Sequence, residues 1–135
     1  MRAVNGTEMS CSTLYEIIQQ NVTASPDARA VALPAEELEL SFSEFASKIS
    51  ELKNVLLSNG IGEGACVALA APNGLAYLTS FLAITWTRAI AAPLNPAYKV
   101  EEFSFYLTDT EVRPRVRCWL MQSATHIHVL RPRES

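Results

Sequence analysis

Three groups of residues in this 135-residue chain are of types that carry chemistry. Gly60, Gly62 and Gly64 alternate along a short loop, and closely spaced glycines let backbone amides approach a phosphate. A dinucleotide-binding loop, however, follows a strand and opens a helix. Gly60-Ile61-Gly62-Glu63-Gly64 instead closes a helical pattern and leads into an apolar run, so a helix stop and a turn are its expected roles. His126 and His128 would share one face of a strand and could hold a metal with Cys118. Two ring nitrogens and a distant thiol lack the spacing of a zinc motif, and an ordinary exposed pair is the expectation. The third group is Arg113, Arg115, Arg117, Arg131 and Arg133. Arginines neutralise phosphates, but no recognition motif surrounds these five. The whole chain carries net charge −3, so no nucleic-acid partner is expected.

The elements that would position such groups centre on Ala65 to Asp109. Ala65 to Ala71 is a continuous apolar run, the pattern of a strand covered on both faces. Pro72-Asn73-Gly74 ends it, with Asn73 as the expected N-cap of a helix over 74–88. Leu75, Tyr77, Leu78, Phe81, Leu82, Ile84 and Trp86 make that helix apolar on nearly every side, as in a helix buried within a larger body. Ala89 to Ala92 reads as a second strand, closed by Pro93-Leu94-Asn95-Pro96, and a right-handed crossover would set the two strands parallel. Val100, Phe103, Tyr106 and Leu107 mark one face of a further amphipathic helix beginning near Lys99. The order is βαβα. The 23 uncharged residues from Ala65 to Thr87 are long enough to cross a bilayer. Pro72-Asn73-Gly74 cuts them into pieces too short for that, and no membrane span is expected.

Upstream, Thr13 and Glu16 have the spacing of a capping box at the start of a helix bearing Leu14, Ile17, Ile18 and Val22. Ser25-Pro26-Asp27 is a turn. Val31 to Leu33 and Leu38 to Leu40 flank Pro34 to Glu37 as a small hairpin. Ser41 and Glu44 form a second capping box, with Leu40 placed to staple onto Phe45. The buried face of that helix is predicted to be Phe42, Phe45, Ile49, Leu52, Val55 and Leu56, with Gly60 at its C-terminal cap. Together these predict an α/β fold with a partial Rossmann-like parallel sheet flanked by helices.

Four segments carry a specific resemblance. They are Leu40 to Phe45, Asn59 to Leu69, Pro72-Asn73-Gly74, and Ala91 to Tyr98. In this order they resemble landmarks in the N-terminal region of adenylate-forming acyl-CoA synthetases, the AMP-binding enzymes related to 4-coumarate–CoA ligase. Arg88 to Asn95, Tyr98 and Glu101 to Asp109 resemble the oxalate–CoA ligase branch most closely, although many members have glycine where this chain has Arg88. The resemblance covers about Leu14 to Val112.

The resemblance implies a two-step reaction. A carboxylate attacks the α-phosphate of ATP to give an acyl-adenylate, and the thiol of coenzyme A then displaces AMP. Such chemistry needs a glycine- and hydroxyl-rich phosphate loop, a Mg²⁺ ligand and a lysine that neutralises developing charge. The family's loop ending in Pro-Lys, its Tyr-Gly-x-Thr-Glu segment and its C-terminal catalytic lysine have no counterpart in these residues. Pro93 and Asn95 would lie near the carboxyl end of a parallel strand, where open α/β sheets gather ligands, but loop geometry accounts for them equally well. The resemblance therefore carries no catalytic, cofactor-binding or metal-binding role onto any residue here. ATP, Mg²⁺ and coenzyme A are cofactors of the full-length family, and the chain alone is expected to be catalytically silent.

Composition changes near Val112. Residues 1–112 hold six basic and thirteen acidic side chains, whereas 113–135 hold five basic and one acidic. The expected division is a partial AMP-binding domain over 1–112 and a divergent basic tail over 113–135, of the kind an alternative exon or shifted frame produces. Val116 to Met121 or His126 to Leu130 would pair as a surrogate edge strand of the sheet. A sheet left incomplete would expose apolar surface, so self-association or docking to the full-length enzyme is the expected interaction. A small membrane-associated protein is the other alternative. The first ten residues lack an apolar signal core, Cys11, Cys66 and Cys118 are odd in number and widely spaced, and the chain ends Arg133-Glu134-Ser135 without a Ser-Lys-Leu-type peroxisomal address. A cytoplasmic location with reduced thiols is expected.

Overall fold

The computed structural model describes residues 13–97, 102, 118–123 and 125–130. Contacts divide the chain into two compact units, Met1–Ala46 and Ser47–Ser135.

In the first unit, local hydrogen bonds account for nearly every element boundary. Helix α1 (Leu14–Ala24) starts at the predicted capping box: Thr13 Oγ1 accepts the Glu16 amide at 3.2 Å, and Glu16 Oε2 accepts the Thr13 amide at 3.2 Å. Its apolar face is less covered than the pattern predicts. Ile18 is buried, whereas Leu14 and Ile17 are 45% and 41% exposed. Strands β1 (Arg29–Leu33) and β2 (Leu38–Ser41) form the expected antiparallel hairpin around a 3₁₀ turn at Pro34–Glu36. Helix α2 (Phe42–Ser58) follows at once. The amides of its first three residues would be orphaned at a free helix end. Here Phe42 donates to the Ala28 carbonyl, Ser43 to the Pro26 carbonyl, and Glu44 to Ser41 Oγ, at 3.0, 3.0 and 3.1 Å. Glu44 Oε2 returns a bond to the Ser41 amide at 3.0 Å, completing the second capping box. Leu40 and Phe45 are both buried, as the staple requires.

The second unit opens with the remainder of α2. Ile49, Leu52 and Leu56 are buried, but Val55 is 41% exposed, against the predicted face. The reason is angular. At about 100° per residue, Val55 stands roughly 90° from the centre of the stripe that Phe45, Ile49, Leu52 and Leu56 define. Gly60, at φ 84°, ends the helix as predicted. Its amide reaches the Leu57 carbonyl at 3.0 Å and the Ile61 amide reaches that of Leu56 at 3.0 Å, the two bonds of a Schellman motif. Leu56 and Ile61 are both fully buried, which supplies the apolar contact position of that motif.

Strand β3 (Cys66–Leu69), helix α3 (Leu75–Trp86) and strand β4 (Ile90–Pro93) are the predicted βαβ unit, with β3 and β4 parallel. Asn73 is not the N-cap. The first bond of α3 runs from the Leu78 amide to the Gly74 carbonyl at 3.1 Å, so the cap falls one residue later, on Gly74 at φ 150°, and no side chain caps it. Helix α3 is held by burial instead: Thr79, Ser80, Leu82, Ala83, Ile84 and Trp86 are buried, with Ala76 and Leu78 exposed. The buried hydroxyl of Thr79 donates to the Leu75 carbonyl at 2.9 Å, which removes the cost of covering it.

The sheet order is β4-β3-β5-β6, where β5 is Cys118–Ser123 and β6 is His126–Leu130. Both predicted tail segments are strands, but they take different places. β5 pairs parallel with β3 and lies inside the sheet, while β6 pairs antiparallel with β5 and forms the edge. Interior placement agrees with side-chain burial: Trp119 is 6% exposed and Met121 fully buried. Alternate residues of β3 and β5 (Val67, Leu69, Trp119, Met121) form the most buried face, as the two-residue repeat of a strand demands. The predicted helix from near Lys99 lies outside the described residues except for Glu102, which is helical. The arginines at 113, 115, 117, 131 and 133 lie outside them altogether.

Candidate functional site

Open parallel sheets bind ligands beyond the carboxyl ends of their strands, where successive connections leave in opposite directions. Strand β3 is that point here, since β4 lies on one side of it and β5 on the other. Three segments meet at this end of the sheet: Ala70 to Gly74 after β3, Leu94 to Ala97 after β4, and the turn between β5 and β6.

The first two are tied down by backbone. The Ala70 amide donates to the Met121 carbonyl at 2.9 Å, and the Leu94 amide to the Leu69 carbonyl at 2.8 Å, extending the parallel ladders one residue past each strand. Pro72, Asn73 and Gly74 are exposed, as are Pro93 and Asn95. Asn95 spends its side chain on the loop itself, Oδ1 accepting the Ala97 amide at 2.9 Å as in an Asx turn.

The third segment contains a hydroxyl–imidazole contact that the sequence did not single out. Ser123 Oγ lies 2.9 Å from His126 Nδ1, and Thr125 Oγ1 lies 3.1 Å from the same nitrogen. A serine beside a histidine is the first half of a nucleophile and its base. Ser123 Oγ, however, also accepts the amides of Thr125 and His126 at 3.3 and 3.1 Å. Both lone pairs are thereby engaged, and its one proton faces two neighbours, the ring nitrogen and Thr125 Oγ1 at 3.2 Å. The cluster fixes the tight turn and the irregular register between Met121 and Ser123. The offset in chain position between Ser123 and His126 is the only sequence signal for it, and that spacing is common to many turns.

The other candidate groups do not converge. Cys118 opposes Leu130 while His126 opposes Ser123, so Cys118 and His126 stand at opposite ends of the hairpin, about 17 Å apart at the rise of a strand. Among the described residues no three of His, Cys, Asp and Glu gather as metal ligands. Gly60 and Gly64, both at φ 84°, shape the entry to β3 at its amino end, away from the ligand-binding end. A Cβ at Gly60, Gly64 or Gly74 would meet nothing within 4 Å, so none of them lines a close-fitting cradle.

A different glycine position matters. Arg88 follows α3 at φ 66°, the left-handed conformation in which glycine is least strained. Its amide donates to the Thr85 carbonyl at 3.0 Å, one bond of a helix-ending motif. The second bond is replaced by a relay through the buried Thr87 hydroxyl, which donates to the Ile84 carbonyl at 2.6 Å and accepts the Ala89 amide at 3.3 Å. This junction sets where β4 begins.

Comparison with known proteins agrees with this architecture. The family model described as AMP-binding enzyme matches residues 18–131. That span runs past Val112 and includes β5 and β6. The chain is 39% identical over 99 residues to "Probable CoA ligase CCL9" of Humulus lupulus, covering 73% of this chain and 19% of that protein. It is 36% identical over 104 residues to "Oxalate–CoA ligase" of Arabidopsis thaliana, covering 76% and 20%. It also superimposes on the solved structure of "Mycobacterium tuberculosis fatty acyl CoA synthetase" with TM-score 0.64 and 28% identity, over 70% of this chain and 19% of that one. The chain spans about a fifth of the length of these relatives. With a family match over residues 18–131 and relatives 39% and 36% identical, the chain belongs to the AMP-binding enzyme family, as part of the AMP-binding domain of an acyl-CoA synthetase-like member.

Proposed function

We propose that this chain is the opening scaffold of an AMP-dependent acid–CoA ligase of the oxalate–CoA ligase branch, and that by itself it does not form acyl-adenylates. In the complete enzyme the reaction consumes a carboxylate, ATP and coenzyme A and yields acyl-CoA, AMP and pyrophosphate. The observation that carries the proposal is the family match over residues 18–131, together with alignments of 99 and 104 residues to about one fifth of two CoA ligases. Among the described residues at the carboxyl end of the parallel strands, Asn95 and Ser123 make loop-fixing contacts, which supports this reading. Catalysis by preorganised charge requires donors aimed at the reacting atoms, and those groups belong to the other four fifths of such enzymes.

ATP–pyrophosphate exchange tests both parts. The purified chain is expected to give no exchange with oxalate or any other carboxylate, and measurable exchange overturns the silence. A chimera in which residues 14–112 replace the matching segment of the Arabidopsis thaliana oxalate–CoA ligase is expected to retain oxalate-dependent exchange. A folded chimera that lost oxalate dependence would count against the branch.

Exposed apolar side chains favour a second reading, a cytoplasmic interaction module that docks on the full-length enzyme or on itself. Ile90 on the edge strand β4 is 59% exposed, and Leu57 on α2 is 47% exposed. Co-purification of the chain with the full-length enzyme supports this reading, and absence of binding at micromolar concentration ends it. No described helix is long and apolar enough to cross a membrane.

A further inference from the structure

The sequence holds three Asn-Gly dipeptides, Asn5-Gly6, Asn59-Gly60 and Asn73-Gly74. The first lies outside the described residues. The other two are both exposed, so access to water does not tell them apart. Hydrogen bonding does. At the end of α2 the Asn59 side-chain nitrogen donates to the Val55 carbonyl at 2.8 Å, and the Gly60 amide donates to the Leu57 carbonyl at 3.0 Å. In the loop between β3 and α3, by contrast, no hydrogen bond engages the Asn73 side chain or the Gly74 amide among the described residues. Gly74, at φ 150° and ψ −169°, holds a conformation that is essentially confined to glycine. The fold therefore requires a glycine after Asn73 and leaves its amide nitrogen open.

We propose that Asn73-Gly74 is a deamidation site, at which the chain converts a neutral side chain into a carboxylate beside the N-terminus of α3. The Gly74 amide nitrogen attacks Asn73 Cγ. The new C–N bond closes a succinimide ring, and the Cγ–Nδ2 bond breaks as ammonia leaves with the amide proton. Water then adds to one of the two ring carbonyls: opening at the backbone carbonyl gives isoaspartate, and opening at the side-chain carbonyl gives aspartate. Either product carries a carboxylate, and nothing is oxidised or reduced. Helix α3 has no acidic residue in its first turn and no side-chain cap, so the new charge meets the uncompensated positive end of the helix dipole. The isoaspartate product also lengthens the connection from β3 to α3 by a backbone methylene. The reaction needs only the dipeptide and water, so it stands independently of the proposed ligase role.

Asn59 is the internal control, being the same dipeptide with the same exposure. The test is incubation of the 135-residue chain at mildly alkaline pH, in buffer and in denaturing urea, followed by proteolysis and mass spectrometry of the peptides that contain Asn59 and Asn73. Relative to its own rate in urea, Asn59 is expected to slow by roughly tenfold or more in buffer, because two hydrogen bonds must open before its ring can close, whereas Asn73 is expected to change by less than about threefold. In Asn73→Gln, whose side chain would have to close a larger ring, conversion at position 73 is expected to disappear while that at Asn59 stays unchanged. Equal slowing at the two sites, or an Asn73 that stays intact in buffer while the urea sample converts, would overturn the proposal.

Discussion

Helices α1 and α3 are held in place by opposite means. α1 has a complete capping box, yet Ile18 is its one buried residue and three large apolar side chains (Leu14, Tyr15 and Ile17) are more than 40% exposed. α3 has no side-chain cap, no acidic residue in its first turn and no basic residue in its last, yet half of its residues are buried. The first is secured by its own neighbours in sequence, the second by the sheet. Short helices are marginal in water without tertiary burial, so the two should differ sharply in how they respond to substitution.

The largest test is truncation in α3. Ile84 is fully buried, and Ile84→Ala is expected to lower unfolding stability by about 2–5 kcal/mol in urea denaturation. The matching change in α1, Ile17→Ala, removes a side chain that is 41% exposed and should stay within about 0.5 kcal/mol. Equal losses at the two positions would break the comparison.

An intermediate effect is expected where α3 ends. Arg88 occupies φ 66°, and relief of the left-handed strain, offset in part by the greater chain entropy of glycine, should make Arg88→Gly more stable by about 1 kcal/mol. A rise in the urea midpoint with an unchanged slope is the expected signature. A fall would mean that the arginine side chain contributes more than the backbone conformation costs.

The smallest effect belongs to the cap of α1. Thr13→Ala removes the acceptor of the Glu16 amide and is expected to cost about 0.5–1 kcal/mol. Because that bond is local and exposed, the loss should appear chiefly as faster hydrogen exchange in the first turn of α1. Unchanged exchange there would show that α1 depends on packing after all.

Legibility in the sequence followed the same division. Both capping boxes, the hairpin and the Gly60 helix stop were visible in the residue types, because each depends on groups within a few positions of one another. The Asn73 cap was misplaced by one residue, since the choice between adjacent caps depends on where the first helical bond closes. Val55 was drawn into a face from which helical geometry turns it away. At the carboxyl end of the sheet, Pro93, expected to close the strand, is its last residue, and Asn95 lies in the loop beyond it. The Ser123–His126 turn was missed, because its short spacing has meaning only once β5 and β6 pair.

Local order, apolar periodicity and the landmarks around Leu40, Gly60, Pro72 and Pro93 determined by themselves that this chain is α/β and of the AMP-binding enzyme family. Those features are read over short distances, where the chain has few alternatives. Only the tertiary structure decided that β5 is an interior strand and β6 the edge, and that Arg88 carries a left-handed backbone. Strand order and register are set by which apolar faces can be covered together, and no stretch of sequence contains both partners of such a choice.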